Sequence, residues 1–239
     1  MTNKLTVLDD KGYVILHDVM GSDLTVANAA RVSYDKKSAE LTEGDRRLIA
    51  FLAREGHTSP FRHATMQFEL YSPLMVARQH FKYIVGSSIA EATGDNMDAW
   101  NESSRRYITE EAEFYVPKAD EWRSKPEASI KQGSGEPVNR VKGGHFTLTL
   151  EEYIKHGEAL YDSALEHGIA PEQARLFLPA YGLYVRFRWT ATLQTVAHLI
   201  RQRTAPDAQY EFRLYAEAVK ELAIEKFPVS LGELLKEGD

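Results

Sequence analysis

The chain contains no cysteine. That excludes disulfides, cysteine-ligated zinc and every mechanism built on a thiolate nucleophile. If bonds to carbon are made here, a bound cofactor has to carry the electrons that sulfur would otherwise supply. Long apolar runs are missing as well, with nothing near the roughly 20 residues that cross a bilayer. The opening Met1-Thr2-Asn3-Lys4-Leu5 has no apolar signal-peptide core, so no membrane role is expected and the expected address is the cytoplasm. Positive charge is scarce: 29 Lys and Arg against 35 Asp and Glu leave a formal net charge of -6. With no general positive field, nucleic acid is not an expected partner, and an anion must be met by a few local arginines. The G-x-G-x-x-G dinucleotide fingerprint and the phosphate-loop pattern are absent, so a flavin or nicotinamide would have to bind in some other way.

What is present suits one large domain of 239 residues. Gly12 to Val19 is apolar and β-branched enough for a strand, and Leu24 to Val32 reads as a short helix. Leu48, Ile49 and Leu52 recur at helical spacing before Gly56. Ala64, Met66, Phe68 and Leu70 alternate with polar neighbours, as in a strand with one buried face. Ser72-Pro73 then predicts a helix start carrying Leu74, Ala77, Arg78 and Phe81 and ending near Gly86. Residues 86–98 and 118–144, rich in Gly, Pro and small residues, predict flexible loops. Phe146, Leu148 and Leu150 alternate like another strand, as do Leu183, Val185, Phe187 and Trp189. Glu151 to Gly168, Pro171 to Leu178, the stretch after Thr190 and the stretch from Asp207 to Lys226 read as helices. Strands and helices mix without a βαβ rhythm and no linker divides them. The expected fold is therefore a single α+β domain over 1–239, with a mainly antiparallel sheet flanked by helices.

Three stretches could carry chemistry. Asn101-Glu102-Ser103-Ser104-Arg105-Arg106-Tyr107 packs carboxylate, hydroxyl and guanidinium groups together, a set that matches phosphate oxygens and a ribose or base edge. The plain alternative is a solvated first helical turn with Asn101 as cap. Gly56-His57-Thr58-Ser59-Pro60-Phe61-Arg62-His63 lies between a helix stop and a strand start. It could bind a pyrophosphate or a ring edge, or be a turn with a satisfied histidine. His57 and His63 lack carboxylate partners at a metal-binding spacing, so no metal is expected. Arg203 borders the apolar stripe Val196, Leu199 and Ile200 and needs a partner, either a carboxylate of the protein or a ligand. Gln194, His198 and Arg201 share another side of that helix, facing solvent or a cleft.

Taken together these segments resemble the flavin-dependent thymidylate synthases over nearly the full length. Ala30-Arg31-Val32-Ser33-Tyr34 is similar to that family's N-terminal flavin-contacting segment, and Gly56 to His63 to its Gly-His-x-Ser/Thr-Pro-Phe-x-His run. Asn101 to Tyr107 matches Asn-Glu-x-Ser-x-Arg-Tyr, and Arg175, the Tyr184 to Thr190 strand, His198 and Arg203 match its C-terminal half. The resemblance implies conversion of dUMP to dTMP, with methylenetetrahydrofolate giving the one-carbon unit and FAD, recharged by NADPH, giving the hydride. It also implies that Gln79, Glu102, Ser104, Arg106, Arg175 and Arg203 contact dUMP. Of these, Arg203, Ser104 and Glu102 are the catalytic candidates. Ser33, His57, Ser59, Arg62, Lys82 and His198 would lie around FAD, in a homotetramer whose active sites are built from several subunits. One departure stands out: the signature usually opens with Arg-His-Arg, and here Lys82-Tyr83-Ile84 takes its place. Lys82 keeps a charge without a bidentate fork, and Tyr83 and Ile84 lose the imidazole and second guanidinium, leaving His80 as the candidate replacement. The alternative reading is a non-catalytic flavin- or nucleotide-binding oligomer of the same fold.

Overall fold

The computed structural model describes residues 3–83, 100–103, 111–126 and 133–236. Five strands form one sheet in the order β1-β2-β3-β5-β4, every neighbouring pair antiparallel. They are β1 (Lys4–Val7), β2 (Gly12–Met20), β3 (Thr65–Pro73), β4 (Trp100–Glu102) and β5 (Tyr184–Thr192). The alternation read in the sequence sets the faces: Val14, Leu16, Met66, Phe68, Leu70, Phe187 and Trp189 are all buried. A bulge between Leu16 and Asp18 shifts β2 against β3 and carries its far end out of step.

The described residues also form eight α-helices: α1 (Asp23–Arg31), α2 (Glu43–Arg54), α3 (Leu74–His80), α4 (Arg140–Glu166), α5 (Pro171–Ala174), α6 (Leu193–Arg203), α7 (Tyr210–Lys226) and α8 (Ser230–Leu234). Helix α2 starts on a reciprocal cap, in which Thr42 Oγ1 accepts from the Asp45 amide at 3.2 Å and Asp45 accepts from the Thr42 amide at 3.0 Å. Helices α6 and α7 cover the apolar face, with Val196, Leu199, Ile200, Phe212, Tyr215 and Val219 in the core. Helix α8 is capped from a distance: the buried Asp23 carboxylate accepts from the amides of Val229 (3.0 Å) and Ser230 (2.7 Å).

Four expectations change. The alternating run from Phe146 to Leu150 lies inside α4, a 27-residue helix capped by Asn139, whose side chain accepts from the Lys142 amide at 2.9 Å. Once nucleated, the helix runs through the alternation, because Phe146 and Leu148 lie on the surface with no strand beside them among the described residues. Of the loop expected over 118–144, residues 140–144 belong to α4, and Gly143 lets its first turn approach so closely that a Cβ would sit 1.9 Å from the Ala119 carbonyl oxygen. Asn101 does not cap a helix: Trp100–Glu102 is an edge strand on β5, anchored by Trp100 stacked on Phe187 with ring centroids 4.0 Å apart. Strand β3 runs on through Pro73, which pairs with Tyr184, so α3 starts at Leu74 and ends at His80 rather than near Gly86. The loop expected over 86–98 lies outside the described residues.

Candidate active site

Strands β3 and β5 are antiparallel neighbours, so α3 leaves one end of the sheet and α6 starts from the other. Helix α6 then folds back across the buried face, and its last turn arrives beside the end of α3. The two helix ends enclose a cavity of about 360 Å³ lined by Arg78, Gln79, Lys82, Tyr83, His198, Gln202 and Arg203. Among the described residues three cations and no carboxylate face it, which suits an anion. A second cavity of about 390 Å³ shares Gln79 and Arg203 and continues past Arg123, Ser134, Asp207, Gln209 and Glu211.

A chain of hydrogen bonds fixes the polar groups. Gln79 Nε2 donates to the Met75 carbonyl at 3.1 Å and to Gln209 Oε1, and Gln209 Nε2 donates to Glu211 Oε2 at 3.0 Å. Glu211 also accepts from Arg123, whose Nε donates to Ser134 Oγ at 2.8 Å. Both ends of the amide relay, a carbonyl and a carboxylate, can only accept, so the amide orientations follow from the chemistry and Gln79 Oε1 has no donor among the described residues. Burial pushes the Glu211 carboxyl up, but Arg123 and Gln209 outweigh it and hold the group below the usual carboxylate range. Arg203 is held differently. Its Nε donates to Tyr83 Oη, and its guanidinium lies 5.5 Å from the Tyr83 ring and 5.0 Å from the Phe212 ring. Its two terminal nitrogens have no partner among the described residues. Burial and then Arg201 push the His198 imidazole down, which favours its neutral form.

The family described as Thymidylate synthase complementing protein matches residues 15–229. The flavin-dependent thymidylate synthase of Thermus thermophilus is 34% identical over 221 residues, covering 92% of this chain and 74% of that protein. The enzyme of the same name from Thermotoga neapolitana is 34% identical over 236 residues, covering 98% and 94%. This chain belongs to the flavin-dependent thymidylate synthases. A crystal structure of the UMP/dUMP methylase PolB from Streptomyces cacaoi bound with 5-Br dUMP superposes with a TM-score of 0.78 at 27% identity, covering 95% of each chain.

Within this thymidylate synthase chain, four of the expected site residues converge: Gln79, Lys82, His198 and Arg203 line one cavity. Glu102 sits on the edge strand β4. Partial burial of its carboxyl raises its pKa against the opposing pull of Trp100 and Arg78. Ser104 and Arg106 lie outside the described residues. Of the remaining flavin candidates, Ser59 and Arg62 lie at the opposite end of α6. Arg62 Nε donates to Gln194 Oε1 at 2.7 Å, and Ser59 and Arg62 share the 3-10 turn Ser59–His63 that packs on α1. His57 is exposed and stacks on Phe51, and Ser33 is exposed on the turn Val32–Tyr34. The buried Asp45 carboxylate holds this end by accepting from Arg31 at 2.7 Å and from the Ser38 hydroxyl at 3.0 Å. Arg175 lines neither cavity: it is exposed on the turn Arg175–Phe177, with Nε donating to the Glu172 carbonyl at 3.2 Å.

One expectation fails. His80 does not stand in for the lost imidazole: it is fully buried, both ring nitrogens lack a partner among the described residues, and five aromatic rings surround it. Burial, with Arg203 adding to it, pushes its pKa down to about 3, so it is a neutral core group. The reason is visible in α3, where Val76, Ala77 and His80 share the inward stripe while Gln79 faces the cavity. Sequence reasoning also missed Arg123, Gln209 and Glu211. The one available signal was the charged Glu211 on the apolar face shared by Phe212, Tyr215 and Val219.

Proposed function

We propose that this chain methylates dUMP to dTMP, with methylenetetrahydrofolate as one-carbon donor and FAD, recharged by NADPH, as reductant. The observation that carries this reading is Arg203, a guanidinium fixed through Nε with both terminal nitrogens left for a ligand, in a cavity with two further cations. Gln79 Oε1 supports it, since a fixed amide acceptor suits the imide N–H of uracil. Arg203 and Arg106 would grip the phosphate or a uracil oxygen and stabilise charge developing on the ring, while Glu102 and Ser104 complete the nucleotide contacts. Lys82, Arg78 and the neutral His198 fit the anionic and ring portions of a flavin. When bound, the flavin would supply the hydride that reduces the transferred one-carbon unit to a methyl group, and with no cysteine in the chain the uracil ring is not activated by thiolate addition.

The active unit in this reading is a homotetramer. Arg175 stands apart from the Gln79–Arg203 cavity, beside Leu176 (81% exposed) and Tyr181 (73% exposed). Ser33 is likewise flanked by Val32 (76%) and Tyr34 (77%). Apolar side chains this open, next to site residues, favour a site completed by neighbouring subunits. No helix among the described residues is long and apolar enough to cross a membrane, and we assign the enzyme to the cytoplasm. The test is mass spectrometry of the nucleotide formed with FAD, NADPH and methylenetetrahydrofolate. Wild type is expected to give dTMP, and Arg203→Ala is expected to lose most of it. Bound dUMP without product would instead favour the non-catalytic oligomer. A second reading follows from the solved structure of PolB with 5-Br UMP, at a TM-score of 0.75: UMP is an additional substrate, tested by supplying it in place of dUMP.

A further inference from the structure

Tyr83 occupies the middle of Lys82-Tyr83-Ile84, where the family signature carries an imidazole. We infer that it is a positioning residue for nucleotide binding, acting through Arg203; this rests on the nucleotide reading above. Its side chain is 4% exposed, and its backbone is pinned on both sides. The Tyr83 amide donates to the His80 carbonyl at 2.9 Å, and the Trp189 indole donates to the Tyr83 carbonyl at 3.3 Å. The ring is boxed in by His80, His198 and Phe212. Tyr83 lines the cavity, and its hydroxyl accepts from Arg203 Nε and donates to Gln202 Oε1 at 3.0 Å.

The chemistry of this group suits the task. A phenol can accept from a guanidinium and donate to an amide at the same time. It carries no charge, so it orients Arg203 without neutralising it. A carboxylate in its place would hold the arginine more tightly and cancel the field that a phosphate needs. An imidazole would have the right geometry in only one neutral tautomer, and once protonated it would repel the guanidinium. Stacking between Tyr83 and Phe212 removes further freedom from Arg203, so less orientational entropy is lost when the anion arrives.

The experiment compares wild type, Tyr83→Phe, Arg203→Ala and the double variant as flavin-loaded enzyme, reading dUMP binding by calorimetry and steady-state KM and kcat. Tyr83→Phe keeps the ring and removes only the hydroxyl. It is expected to weaken dUMP binding and raise KM about tenfold, in line with loss of a charge-assisted bond, with flavin content unchanged. In the Arg203→Ala background the same change is expected to do nothing further, because the hydroxyl works through the missing guanidinium. Gln202→Leu, at an exposed position, removes the phenol's other partner and is expected to raise KM about threefold. A KM within about twofold of wild type in Tyr83→Phe overturns the assignment, as does an equal loss with and without Arg203, the mark of a packing role. Wild type that leaves dUMP unbound overturns the nucleotide reading itself, a result distinct from either.

Discussion

Two guanidinium groups face the same cavity and are held in opposite ways. Arg123 meets Glu211, a carboxylate only 4% exposed, and the pair is electrically closed. Arg203 meets the phenol of Tyr83 and two aromatic faces, and its charge stays open. The first arrangement builds the wall and, through Gln209, sets the direction of the Gln79 amide. The second keeps a cation ready for something that arrives later. An arginine's partner therefore separates scaffold from binding group better than its burial does, since both of these residues are half-buried.

The largest effect expected from breaking this contrast is on the closed pair. Glu211→Ala strands Arg123 and frees Gln209, and chemical denaturation is expected to show a loss of about 3 kcal/mol; a loss below about 1 kcal/mol would mean the pair is not structural. Removing the open cation should leave folding nearly intact. Arg203→Ala is expected to weaken dUMP binding by about ten- to a hundredfold by calorimetry while shifting stability by less than about 1 kcal/mol. Equal damage to folding would erase the distinction.

The histidine behind the site gives a smaller, pH-dependent effect. His80 is held down to about 3 when folded, against 6.5 for the free side chain, so below pH 6.5 the unfolded chain takes up a proton that the folded chain does not. Stability from this group is therefore present above pH 6.5 and falls as pH drops toward 3. His80→Phe is expected to add about 1 kcal/mol at pH 7 by removing two unsatisfied nitrogens. At pH 5 the advantage should widen by about 2 kcal/mol. Parallel stability curves for the two proteins would contradict the buried, unpaired ring. The smallest effect is expected at the far end of α6, where the exposed Arg62 meets Gln194. Arg62→Ala should change stability by less than about 0.5 kcal/mol while reducing the flavin retained on gel filtration; full retention would remove Arg62 from the cofactor set.

Much of this organisation was legible in the sequence wherever a buried face repeats. Strands β2, β3 and β5 and helices α2, α6 and α7 each carry an apolar stripe long enough to show its period. Strands β1 and β4 and helix α8 are three to five residues long and too short for that. They exist because of distant partners: β4 because Trp100 stacks on Phe187, α8 because Asp23 caps it from more than 200 positions away. The run Phe146 to Leu150 misled because alternation marks a strand only where a neighbouring strand can pair with it. In the site, Gln79, Lys82, His198 and Arg203 were picked out by matching motifs, and the fold is what brings the four to one cavity where the ends of α3 and α6 meet. The Arg123–Glu211 pair did not, since 88 residues separate its members and neither sits in a recognisable motif. His80 was legible and was read the wrong way round, because Val76 and Ala77 at four and three residues before it already mark the inward stripe.

Helix α6 holds Gln194 in its first turn, His198 midway and Arg203 in its last. At a rise of 1.5 Å per residue, the two outer positions are fixed about 13 Å apart, so the helix works as a ruler between the Arg62 end and the Arg203 end. A single inserted residue would lengthen that ruler by only about 1.5 Å but would swing Arg203 by roughly 100° away from Tyr83. Rotation, far more than distance, is what the eleven residues of this helix have to preserve.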